Sequence, residues 1–264
     1  MVENSPNPNP KLAIIEPDNR LVVLARTLQL RGPRAEAALK ESHRAEKRFG
    51  TAYLGQAIYR HRSVYRNASG ASVWSHFELD YFHHEVSAEA IHDLVVAPQS
   101  SEAELLRAEI LLTTPSSFII PRGWHGFAHQ AGRQASLEFI AVQPSYLDEY
   151  RNVIRDYCGP AAQQLVRIGR FGTFRAMESA AVRYQNPAFG IDWNQVHLCE
   201  LDPDDFHGFG PEFRTALHKD RTDGDDHPDV FVGLDRMRSV PRWTFNDAVV
   251  EADFSLAAEG LAEA

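Results

Sequence analysis

The tetrapeptide Arg48-Phe49-Gly50-Thr51 returns unchanged as Arg170-Phe171-Gly172-Thr173, and its surroundings return in the same order. Each copy opens an apolar-rich stretch, Ala52 to Val64 in one case and Phe174 to Tyr184 in the other. A turn-rich break follows, Asn67-Ala68-Ser69-Gly70 and Asn186-Pro187-Ala188-Phe189-Gly190. A tryptophan, Trp74 or Trp193, then begins an alternating segment, and later a proline, Pro115 or Pro241, leads into another strand-like run. Four matching residues are weak evidence, but this succession of features reads as a duplication, and an internal repeat constrains architecture before any single element does. The expected division is a disordered lead at 1–17, repeats at 18–131 and 132–255, and a tail at 256–264.

Periodicity supplies the elements. In the first repeat, Arg20 to Leu30 reads as a strand, Ala35 to Lys47 as a helix, and Thr51 to Tyr65 with Ser72 to Val86 as a hairpin. Ser87 is placed to cap a helix over Ala88 to Val96. Ser101 to Leu112 reads as a second helical stretch and Ser116 to Gln130 as a strand. The second repeat follows the same plan. Ser136 to Gln143 is a strand, Tyr146 to Ile168 is helical with a break at Gly159-Pro160, and Phe174 to Tyr184 pairs with Asp192 to Leu201. Asp204 to Lys219 is helical, Asp220 to Asp229 is a polar insert, and Arg242 to Phe254 is the last strand. Each repeat is thus β-α-β-β-α-β. Helices cover one face of such a sheet, and the matching face of the other repeat is the partner at hand for the second.

This plan resembles the dimeric α+β barrel superfamily of ferredoxin-like proteins in tandem form, over residues 20 to 255. The resemblance implies an α+β fold in which two tandem ferredoxin-like units pack sheet to sheet as a pseudo-dimeric barrel. The superfamily includes cofactor-free monooxygenases, muconolactone-isomerase-like and polyketide-cyclase-like enzymes, and, as tandem chains, chlorite-dismutase-like haem proteins.

Bulk properties narrow the partners. A formal net charge of -9 with scattered basic residues argues against a nucleic-acid surface. No apolar run reaches the roughly 18–20 residues of a membrane helix. Two cysteines, Cys158 and Cys199, lie far apart without metal spacing, as expected for a cytoplasmic chain with reduced thiols. A small-molecule substrate is the expected partner, and a homo-oligomer is compatible with the fold.

Candidate chemistry lies on the strand Ser75 to Glu85, where successive side chains alternate faces. Sending Phe77, Leu79 and Tyr81 toward the helices points His76, Glu78 and Asp80 into the space between the sheets. Aligning Trp193 with Trp74 sets Gln195 opposite His76 and His197 opposite Glu78, so an acid and a base would flank one ligand. The expected catalytic set is His76, Glu78, His197 and His125, with Asp80, Trp124, Tyr59, Gln195 and His129 around the ligand. The reaction expected is a cofactor-free lyase, isomerase or cyclase step on an apolar or aromatic metabolite. Haem-dependent or cofactor-free oxidoreductase chemistry on the same fold is the alternative, and a non-catalytic binding protein is a further one. The string Pro121-Arg-Gly-Trp-His also resembles part of a cupin metal motif, with His76 and Glu78 as the other ligands.

Overall fold

The computed structural model describes residues 12–41, 48–68, 74–95, 102–121, 134–201, 206–218, 230–252 and 254. Both halves lay down four strands in one spatial order. The first half supplies β2 (Val22–Leu30), β3 (Tyr53–Asn67), β4 (His76–Phe82) and β5 (Ala103–Pro121), arranged β5-β2-β4-β3. The second supplies β6 (Gln134–Val142), β7 (Phe171–Gln185), β8 (Gln195–Leu201) and β9 (Arg238–Val250), arranged β9-β6-β8-β7. Two antiparallel seams, β3 with β9 and β5 with β7, close the eight into a ring. A short β1 (Leu12–Ile14) pairs with the end of β5. The architecture is an α+β barrel with a closed antiparallel wall.

Helices cover the outside. The first half carries α1 (Pro33–Lys40) and the single turn α2 (His92–Val95). The second carries α3 (Leu147–Val153), α4 (Gly159–Arg167), α5 (Phe206–His218) and α6 (Val230–Met237). A π turn, Ile154–Cys158, joins α3 to α4 at the expected Gly159-Pro160 break, because Pro160 brings no N–H to the helical ladder.

Two local expectations fail. Within the helix expected over Ser101 to Leu112, Ala103 to Leu112 is instead the first part of β5, a strand of 19 residues. Its Ala-Glu-Leu-Leu composition favours a helix intrinsically. Ladders to β2 on one side and β7 on the other override that preference. A strand buried on both faces also reads as a nearly continuous apolar run, which hides its period. The helix expected over Ala88 to Val96 shrinks to α2, with Ser87 Oγ accepting from the Ala90 N–H at 3.2 Å. Turn α6 had no counterpart in the sequence reading.

The lumen is a packed core. Trp74, Phe77, Leu79 and Tyr81 from the first half meet Leu137, Phe139, Trp193, Val196 and Leu198 from the second. The two repeat tryptophans face one another with ring centroids 5.8 Å apart, and each lies against Phe139, at 4.9 and 4.8 Å. Two buried ion clusters complete the filling. Arg175 reaches Glu200 at 3.0 Å and donates to the Tyr59 hydroxyl at 3.0 Å. Arg107 reaches Glu109 at 3.0 Å, and the Trp193 indole N–H donates to the same carboxylate at 2.6 Å. Outside the wall, Leu24, Ala35, Phe82 and Ile91 form the layer beneath the first set of helices. Ile140, Tyr150, Ala162, Leu165 and Leu234 form the thicker layer of the second half.

Candidate functional site

The expected facing of the β4 row is inverted. Phe77, Leu79 and Tyr81 point into the lumen, whereas His76, Glu78 and Asp80 lie on the helix side of the wall. Closure is the physical reason. A ring of strands buries both faces, so alternation marks two sides without saying which is inner, and the large aromatic set filled the lumen.

The β4 row is taken up by ion pairs and hydrogen bonds, although the second Glu78 oxygen has no hydrogen-bond partner. Arg26, the register partner of Glu78, holds Glu78 and Asp80 together, with Nη2 at 2.7 Å from each carboxylate. Gln56 donates to Glu78, and the Tyr53 hydroxyl donates to Asp80 at 2.9 Å. Burial pushes Glu78 up to about 7 against the pull of Arg26. His76 turns away to Glu36, at 3.1 Å, and to Ser75. This is a sealed ion network under α1 and α2. Tyr59, expected near the ligand, lies in the lumen under Arg175. Trp124, His125 and His129 lie outside the described residues.

The cupin alternative fails on architecture, since strands crossing under helices do not make a cupin barrel. Among the described residues no group of three His, Cys, Asp or Glu is placed to hold a metal ion.

The equivalent place in the second half is built differently. His197 occupies in β8 the third position, which Glu78 occupies in β4, and its register partner on β6 is Glu138. Directly opposed residues on neighbouring antiparallel strands stand about 5 Å apart at Cβ. The row continues through Trp243 on β9, the other register partner of Glu138. Here the helices do not seal the row. A cavity of about 390 Å³ opens between the sheet and the helices, lined by Glu138, His197, Cys158, Cys199, Arg238 and Trp243 among others. Phe174, Phe213, Phe231 and Leu234 make most of its remaining wall apolar. Such a volume lies in the range of small-molecule sites.

Electrostatics distinguish this row from its sealed counterpart. Burial, reinforced by the Arg238 guanidinium, pushes His197 down to about 3, so its imidazole is neutral. The ring stacks beside Tyr150, with Nε2 3.4 Å from the hydroxyl, and meets Phe174 edge-on. Burial raises the Glu138 carboxyl above the usual carboxylate range, and Arg238 only partly opposes it. Burial also lifts the Cys158 thiol to about 12 and the Cys199 thiol well above its ordinary value, so both are protonated. Gln195 is buried on the same strand, in register with Glu178 at the row's edge.

Among the described members of the expected catalytic set, His197 alone lines this cavity, and Glu138 beside it was not in that set. Its signal was a lone carboxylate inside the apolar strand Ser-Leu-Glu-Phe-Ile-Ala-Val.

No family model matches the chain, and no curated protein does. Solved structures show similarity of outline. An anthrone oxidase-like protein aligns at 11% identity over 90% of this chain and 94% of its own, with a TM-score of 0.49. A haem-binding protein from Thermus thermophilus aligns at 13% identity over 96% and 99%, with a TM-score of 0.46. A mutant chlorite dismutase from Candidatus Nitrospira defluvii aligns at 9% identity over 91% and 94%, with a TM-score of 0.45. At such identities and TM-scores, function has to be read from this chain's own residues.

Proposed function

We propose that the halves, 18–131 and 132–255, are diverged copies of one ferredoxin-like unit, and that the second copy binds a small, mainly apolar or aromatic molecule. The observation that carries this is the cavity over the Glu138–His197 row, set against the ion-filled row at the same place in the first copy. The chemistry offered is proton transfer. Glu138, its carboxyl raised by burial, can exchange a proton with a ligand carbon or oxygen, and His197, a neutral imidazole, can hydrogen-bond the same atom. The aromatic walls exclude water and orient a flat ligand. A lyase, isomerase or cyclisation step needs nothing more from the protein.

The test uses 2-tetralone, a neutral aromatic ketone with exchangeable hydrogens beside its carbonyl. Wild-type protein in D2O should speed their exchange, followed by NMR. Glu138→Gln and His197→Gln should each slow it about a hundredfold. Leu234→Trp, which fills the cavity, should abolish binding measured by calorimetry. Absence of any binding, or binding indifferent to Leu234→Trp, would remove the reading.

Haem is a second reading, favoured by the neutral imidazole of His197, the form that ligates iron, and by the guanidinium of Arg238, which suits a propionate. Bound there, haem would supply one-electron and peroxide chemistry; His197 would hold the iron and the aromatic walls would shield the ring. Added haemin should then give a Soret band that His197→Ala loses. A spectrum unchanged by that substitution excludes His197 as ligand.

A further inference from the structure

Three of the buried arginines among the described residues have carboxylates close by. Arg26 has Glu78 and Asp80 at 2.7 Å, Arg107 has Glu109 at 3.0 Å, and Arg175 has Glu200 at 3.0 Å. Arg238 breaks that pattern. It opens β9 inside the cavity wall with its side chain 11% exposed, yet the nearest carboxylate, Glu138, stands 3.9 Å away, beyond hydrogen-bond distance. Its Nη1 donates to the Tyr150 hydroxyl at 3.3 Å, and its Nε, like those of Arg26, Arg107 and Arg175, is buried without a partner, so the longer reach to a carboxylate is what sets Arg238 apart. A guanidinium taken out of water without a matching anion is costly, so such a group marks a place where an anion binds.

The rest of the lining points the same way. Among the described lining residues Glu138 is the only carboxylate, burial raises its carboxyl above the usual range, and it stays 3.9 Å from Arg238. The two thiols are protonated and His197 is neutral, and Arg214 in the lining lies over the Phe231 ring. The cavity is thus apolar with a positive pole.

We infer that the ligand of this cavity is an aromatic acid, its flat body against Phe174, Phe231 and Trp243 and its carboxylate or phenolate on Arg238. This rests on the cavity reading above and narrows its substrate class. A planar fork of donors suits a carboxylate, which gains two charge-assisted hydrogen bonds at once. Arg238 is then the residue that sets specificity, and it leaves Glu138 and His197 free to act on the ring or on a carbon next to it.

The matched probes are 2-naphthoate and 2-naphthamide, equal in shape and different in charge, titrated calorimetrically into the full chain. Wild-type protein should bind the acid at least about tenfold more tightly than the amide. Arg238→Gln should erase that preference by weakening the acid more than the amide, and Arg238→Lys should restore part of it. Equal affinity for the two probes in the wild type overturns the inference and leaves the cavity reading standing; this arm needs no variant to fold. A preference that survives Arg238→Gln overturns it too. If neither probe binds, or if Leu234→Trp leaves both affinities unchanged, the cavity reading falls and the inference with it.

Discussion

His197 carries its consequences into stability as well as chemistry. The unfolded chain protonates a histidine near about 6.5, but the folded protein holds this one neutral down to about 3. Between those values the unfolded state binds a proton that the folded state does not, so stability falls as the pH drops through the window. At pH 4 the wild type should have lost roughly 3 kcal/mol more than His197→Gln relative to pH 7, measured by urea unfolding. Parallel profiles would mean that the imidazole is solvated. At this scale the sequence was half legible. The alternation along β4 could be read, and so could the equivalence of Glu78 with His197, because both follow a repeat tryptophan at one spacing. The side of the wall could not be read, since only the closed ring decides it. Arg26 and Glu138 hold equivalent places in β2 and β6, each a lone charge in an apolar strand; one closes a salt-bridge network and the other opens a site.

Elements reveal a second kind of constraint. Helix α4 lies so near β5 that a Cβ on Gly159 would strike the backbone carbonyl of Ser116 and come within 2.7 Å of Ser117 Oγ. Ser116 itself has a φ of 59° at the kink of β5 and cannot retreat freely. Gly159→Ala should therefore lift α4 from the sheet and cost about 1–3 kcal/mol in chemical denaturation, with weakened ligand binding because the adjoining π turn carries Cys158 of the cavity wall. Unchanged stability would show that the contact is loose. The helix break at Gly159-Pro160 was visible in sequence because proline's missing N–H is a local property. The strand character of Ser101 to Leu112 was not, because two distant neighbours impose it.

The whole molecule couples its halves through the lumen. Phe139 of the second half packs on Trp74 and Phe77 of the first, at 4.9 and 5.1 Å between centroids. Residues 132–255 made alone would expose Leu137, Phe139, Trp193, Val196 and Leu198. That fragment should either pair with itself or fail to fold, as sedimentation and circular dichroism would report; a folded monomer would show that the lumen contributes little. The expected repeat implied a shared interior, and the two halves do lay down their strands in one spatial order. Seam pairing has one more effect. Each of the eight wall strands is hydrogen-bonded on both flanks, so among the described residues only the three-residue β1, paired with β5 alone, leaves a backbone row open. Fibril-like growth on the wall strands themselves has to wait until a seam between the halves has parted.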